Sequence, residues 1–226
     1  NHEVCGKIVV ASNNREIGFL DNLAGRGNKN GLKGLKYLND AQIKEREPHV
    51  RAKKALLVPE EGIVDFKQVM QVMLDYILSN GGKIYLNNKV LGSKSIHSNK
   101  IVLQTDQMEK EFDLIINCTG LYSDRTYKKL TRKKSPIKIV PFRGEYMRIK
   151  EDYKYMVNHL IYPVPDPQYP FLGVHFTRMT NGVREVGPNA VLALKREGYK
   201  NTDFSLNDTI DSITYKGFLN FITNNF

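Results

Sequence analysis

Arginine and histidine are the residue types in this chain suited to an acidic substrate. Arginine presents a planar fork that grips a carboxylate with two bonds. Histidine exchanges a proton near working pH. The candidates are Arg143, Tyr146, Tyr162, His175, Arg178 and Asn189. Strand side chains alternate, so Arg143 and Glu145 share one face while Gly144 and Tyr146 share the other. On the following hairpin His175 and Thr177 share a face, and Arg178 points away unless a bulge intervenes. His175 is therefore the candidate base, with Arg178 ranked below it. Plainer readings stand beside these: a hydrogen-bonded strand histidine, an Arg143–Glu145 ion pair, and a Tyr162 packed among apolar and proline residues. His49, His97 and His159 fall in loop-like contexts and read as surface groups.

A second stretch, Asp113-Leu-Ile-Ile-Asn-Cys-Thr-Gly-Leu-Tyr-Ser-Asp124, offers different chemistry. Leu114 to Asn117 reads as a buried strand, broken by Thr119-Gly120 and followed by a helix that Ser123 or Asp124 caps. A strand that runs through a small-residue turn into a helix gathers free backbone N–H groups. These favour an anion, usually a phosphate. The stretch reads as the crossing between a nucleotide-side layer and a substrate-side layer.

The elements that must position these groups follow from local pattern. Cys5 to Ser12 is rich in β-branched residues and reads as a strand. A helix follows it, ended by Gly25, Gly27 and Gly31. Leu35–Leu38 and Ala55–Val58 are short strands, and Asp40 caps a helix over 41–47. Asp65 caps the clearest helix, 66–79, whose Phe66, Val69, Met70, Met73, Tyr76 and Ile77 form one apolar face. Core packing is the expected role of that face. Strands are expected over 83–90 and 101–105, with turns at Ser98-Asn99 and Asp106-Gln107. From Pro136 onward alternation dominates. It covers a long strand over 137–149, a short one over 159–164, and a hairpin around Asn181-Gly182. Ser205 caps a helix from Leu206, and another runs from about Tyr215 to Ile222.

The chain has 226 residues, 41% hydrophobic and 26% charged, with a formal net charge of +10. That suits one large domain or two small ones. The lysines are scattered and unaccompanied by any nucleic-acid motif, so a solvated basic surface is expected and nucleic acid is not. Cys5 and Cys118 form no disulfide framework or zinc spacing, and no metal is expected. No apolar stretch is long enough to span a bilayer, and no signal peptide is evident. A cytoplasmic protein is expected, with peripheral membrane contact and oligomeric state left open.

Longer motifs carry a resemblance. These are Cys5-Gly-Lys-Ile-Val-Val10, Glu47-Pro-His-Val-Arg51, Gly62-Ile-Val-Asp65, Asn117 to Asp124, and Val140-Pro-Phe-Arg-Gly-Glu-Tyr146. Leu160 to Pro167, Phe171 to Met179, Gly187-Pro-Asn-Ala190, Arg196-Glu-Gly-Tyr199 and Asp203-Phe-Ser205 continue them. Their order resembles the FAD-dependent oxidoreductases of the D-amino acid oxidase and glycerol-3-phosphate dehydrogenase superfamily, within it the L-2-hydroxyglutarate oxidase/dehydrogenase branch. The resemblance implies an α/β (α+β) fold with a partial Rossmann-like FAD-binding layer and a mainly antiparallel substrate-binding sheet with flanking helices. It implies segments 1–57 and 136–226 on the substrate side and 58–135 on the flavin side. It further implies oxidation of an L-2-hydroxy acid by hydride transfer to flavin, with Val90, Thr119 and Gly120 contacting FAD. Competing expectations are a glycine- or sarcosine-type flavin amine oxidase and a non-enzymatic anion-binding module. Family members begin with a GxGxxG unit and end with a segment closing over the flavin. This sequence shows neither, so it reads as an internal piece that would not retain FAD or turn over alone.

Overall fold

The structure is a computed structural model that describes residues 2–95, 100–168 and 171–225. His97 and the Ser98-Asn99 turn lie outside the described residues. In chain order the elements begin with β1 (His2–Glu3), β2 (Lys7–Ala11), α1 (Asn14–Lys29), β3 (Lys36–Asn39), α2 (Asp40–Arg46) and β4 (Lys54–Val58). Then come β5 (Ile63–Val64), α3 (Phe66–Ser79), β6 (Val90–Ser95), β7 (Ile101–Thr105), β8 (Glu109–Phe112) and α4 (Ser123–Thr131). The rest are β9 (Phe142–Arg148), β10 (Leu160–Pro163), β11 (His175–Arg178), β12 (Arg184–Leu192), α5 (Leu206–Ile213) and α6 (Lys216–Asn225). They pack as two units: residues up to Gly81 with Gly144–Ala190, and Gly82–Arg143 with residues from Val191 on. The expected segments also join the chain's beginning to its later part, with bounds at 57 and 135.

The first unit is built on a seven-stranded sheet in the order β3-β4-β2-β10-β11-β12-β9. The strand expected from Cys5 on joins those of the later part of the chain, with β2 antiparallel to β4 and parallel to β10. Alternation along β2 buries both faces. Val9 and Ala11 meet Leu20 and Ala24 of α1, while Ile8 meets Ile43 of α2 and Ile161 of β10. Such two-sided burial is the main stabilising term, about 25 cal/mol per Å² of apolar surface removed from water. Helix α2 starts with a capping box between Asn39 and Gln42 rather than at Asp40. Helix α1 runs through Gly25 and Gly27 instead of ending there. Gly27 is buried because Leu35 sits where its Cβ would be, and the stop comes later, at Asn30 and Gly31 with φ +83°.

Helix α3 starts at the expected cap, with Asp65 accepting from the Lys67 N–H. Its apolar face is not core, however. Phe66 is 75% exposed, Met73 55% and Tyr76 71%. The amphipathic pattern is present and, among the described residues, the packing partner is not.

In the second unit β6, β7 and β8 form an antiparallel meander. The expected strand over 83–90 is replaced by irregular chain containing Asn87 at φ +56°. The expected buried strand Leu114–Asn117 is likewise irregular, with Ile116 76% exposed. A strand needs a neighbour to take its backbone hydrogen bonds, and no described strand flanks this segment. Ser205 caps α5, as its side chain accepts from the Asp208 N–H. No helix among the described residues is long and apolar enough to cross a membrane.

Candidate functional site

In the first unit, strand register builds one row of side chains. The hairpin closes through Met179 and Val183, with Gly182 at φ +84°. A positive φ suits glycine there. That closure sets His175 opposite Gly187. On its other side, Ile161 pairs with Phe176, which brings Tyr162 beside His175. Tyr162 in turn pairs with Val9.

His175 is 4% exposed and is held from several directions. Its ring stacks on Tyr162 with centroids 4.0 Å apart and planes 17° from parallel. The Tyr146 ring meets it edge-on at 6.3 Å. Nδ1 lies 2.9 Å from the Gly173 carbonyl oxygen. A carbonyl only accepts, so Nδ1 carries the hydrogen and Nε2 of the neutral ring keeps its lone pair. Among the described residues, the one buried side-chain polar atom without a partner is Arg46 Nε. His175 Nε2 has no hydrogen-bond partner there either, so it must reach solvent. A sheltered imidazole with one open basic nitrogen can accept a substrate proton.

The flanking tyrosines are neutral at working pH. Burial pushes the Tyr162 phenol above its ordinary value, with nearby Glu61 adding to that and the Thr177 hydroxyl bond opposing it. Burial does the same to Tyr146, helped by Tyr162 and Glu185. Lys7 was not singled out by the sequence. Its ammonium lies 5.2 Å from the Tyr162 ring centroid and pairs with Glu61 at 2.5 Å.

The remaining candidates lie elsewhere. β11 shows no bulge, and Arg178 pairs with Glu3 at 2.5 Å. Arg143 donates to the carbonyls of Gly198 and Lys200, each at 3.2 Å, and to the Asn201 side chain. Both guanidinium groups are thus engaged within the fold. Asn189 is exposed on β12, two residues beyond Gly187. His159, expected at the surface, instead bonds through its backbone N–H and Nδ1 to the fully buried Glu47, both at 2.7 Å.

In the second unit, the Thr119-Gly120 turn is organised by side chains. Thr119 Oγ1 donates to Asn117 Oδ1 at 2.7 Å and lies 3.0 Å from Thr126 Oγ1. Gly120 has φ +52°, and a Cβ built there meets nothing within 4 Å. Its backbone is therefore open to a ligand. Val90 begins β6, and its carbonyl accepts from Lys129 Nζ at 2.9 Å. Neither expected cap forms on α4. Ser123 Oγ donates to the Gly120 carbonyl, and Asp124 turns inward. Asp124 takes both terminal nitrogens of the buried Arg196, at 2.5 and 2.7 Å, and the Ile139 N–H at 3.2 Å. Burial works against the Asp124 charge, but the Arg196 bonds and backbone N–H groups outweigh it and hold the carboxyl below its usual range. Among the described residues, no cluster of three or more acidic, cysteine or histidine side chains could hold a metal.

The chain is similar to known proteins. The family described as FAD dependent oxidoreductase matches residues 1–219. L-2-hydroxyglutarate dehydrogenase of Indibacter alkaliphilus is 42% identical over 216 residues, covering 96% of this chain and 54% of its own length. The mitochondrial L-2-hydroxyglutarate dehydrogenase of Homo sapiens is 38% identical over 237 residues, covering 100% of this chain and 51% of its own. Among solved structures, dithionite-reduced L-alpha-glycerophosphate oxidase from Mycoplasma pneumoniae, with FAD bound, superposes with a TM-score of 0.76. That match covers 90% of this chain and 54% of the other, and at 21% identity it speaks for the fold alone. The chain spans about half the length of the curated relatives it matches. With the family matched over almost the whole sequence, this chain belongs to the FAD-dependent oxidoreductases.

Proposed function

We propose that this chain is the substrate-handling part of an FAD-dependent enzyme that oxidises L-2-hydroxyglutarate to 2-oxoglutarate. The relatives' names point to the substrate. The observation that carries the chemistry is His175, with Nδ1 on a carbonyl and Nε2 open. In this reading Nε2 removes the proton from the substrate hydroxyl. Tyr146 and Tyr162 flank the ring, and neither competes as a base, because a phenol is already protonated at working pH and both are shifted upward. The chain's +10 charge draws a dicarboxylate by long-range attraction. Tyr146 and Asn189 are the substrate contacts kept in this reading. Arg143 and Arg178 are not used, because carbonyls and Glu3 already occupy them.

The residues present fit one edge of the cofactor. Open space beside Gly120 admits a bound group, and Thr119 is fixed next to it. Val90 enters as the further main-chain contact that the resemblance implies. When bound, FAD supplies the acceptor for the hydride leaving the hydroxyl-bearing carbon.

The test uses a protein of the relatives' full length that contains this chain. It should reduce a dye with L-2-hydroxyglutarate and leave glycine unoxidised. His175→Gln should keep the flavin absorbance and lower kcat by about 10²–10⁴-fold, the usual range for a general base. Turnover of glycine in place of the hydroxy acid, or an unchanged kcat in H175Q, refutes the reading.

A further inference from the structure

The residues around His175 do more than surround it. An imidazole can place its single hydrogen on either nitrogen, and only one choice leaves a base facing the substrate. The Gly173 carbonyl selects Nδ1–H, but a hydrogen bond of 2.9 Å persists only while the ring stays in one plane. Two aromatic rings set that plane. Tyr162 stacks on one side at 4.0 Å, held there by the pairing of β10 with β11. The Tyr146 ring closes edge-on at 6.3 Å. It reaches that place because the residue opposite His175 is Gly187. A Cβ built on Gly187 would lie 2.7 Å from Tyr146 Cδ1 and 2.7 Å from the Glu145 carbonyl oxygen.

We propose that Tyr162 is a positioning residue, not a substrate contact. Its stacked ring holds His175 in the Nδ1–H tautomer with Nε2 presented, and Gly187 leaves the gap that lets Tyr146 complete the clamp. The effect on turnover rests on the reading of His175 as the base; the effect on the tautomer does not. Stacking needs an aromatic ring and not a hydroxyl, so Tyr162→Phe keeps the clamp and Tyr162→Leu removes it.

The first measurement needs no flavin. Nitrogen NMR of histidine-labelled chain separates a protonated ring nitrogen from a bare one, and the His175→Gln spectrum assigns the signal among the five histidines. Wild type and Y162F should each show a single tautomer. Y162L should show the two nitrogen shifts moving toward each other as the tautomers mix. In the full-length enzyme Y162L should lower kcat by about tenfold or more with little change in KM, and Y162F should restore it. A single Nδ1–H tautomer in Y162L overturns the proposal. A mixed tautomer in Y162L beside an undiminished kcat in H175Q upholds the positioning role and removes His175 as the base.

Discussion

Replacing Asp124 with asparagine removes one charge and little volume from a buried network. Arg196 is 3% exposed. It gives both terminal nitrogens to Asp124, one of them also to the Leu121 carbonyl, and its backbone N–H to Asp208 at 2.9 Å. Arg125 pairs with Asp208 at 2.6 Å and Lys138 with Asp211 at 2.6 Å. Breaking one partner of a buried pair costs about 3–5 kcal/mol, because the other charge stays behind without its counterion. The lower end applies here, since Asp211 Oδ2 still lies 3.4 Å from Arg196. For a chain of this size about 3 kcal/mol corresponds to a fall in Tm of roughly 6–12 °C. The pH dependence carries a sign. Asp124's folded pKa lies below its ordinary 3.8, so its contribution is complete above that value and disappears as pH falls through the lower folded one. Thermal melts followed by circular dichroism should therefore show a D124N deficit that is constant from pH 7 down to about 4.5 and closes only below about 3.8. A deficit under about 2 °C at pH 7, or one already gone by about pH 5.5, refutes the reasoning.

Glu47→Gln should cost about 2–3 kcal/mol, measured by urea unfolding at neutral pH. The carboxylate receives the Asn158 N–H at 3.0 Å together with the His159 N–H and ring, and an amide accepts these less strongly. Pairing E47Q with His159→Asn should give a double-mutant coupling above about 0.5 kcal/mol, whereas strict additivity would argue against a shared network. On α3, Met73→Glu should change the unfolding free energy of this chain by less than about 0.5 kcal/mol, since the side chain is more than half exposed. In a protein of the relatives' full length the same change should cost more than about 2 kcal/mol if that face is buried there. Equal small effects in both would show the face to be solvent-facing throughout.

What was legible in the sequence follows from how far away each partner lies. Asn181-Gly182 announces a hairpin, but a two-residue turn there would set His175 opposite Pro188; the closure through Met179 and Val183 makes the loop three residues long and sets Gly187 opposite instead. The third neighbour, Tyr162, was named for its type, but its place beside His175 depends on β10 pairing antiparallel with β11. The chain that joins those strands carries Pro165 and Pro167 and no tight two-residue turn pair, so nothing local fixes their register. The arginines show the same limit. Their chemistry suits a carboxylate wherever they stand, yet the carboxylate Arg178 found was Glu3, 175 residues away. Periodicity has a further blind spot. The stripe on α3 and the apolar run at Leu114–Ile116 describe what each segment would bury, not whether a partner is at hand. Helix α3 forms without one, because its hydrogen bonds are internal and Asp65 caps it. Leu114–Asn117 stays irregular, because a strand cannot satisfy its own backbone. The contrast separates two kinds of prediction. Helices are specified within a dozen residues, whereas strands and sites are specified by whatever the rest of the protein lays beside them.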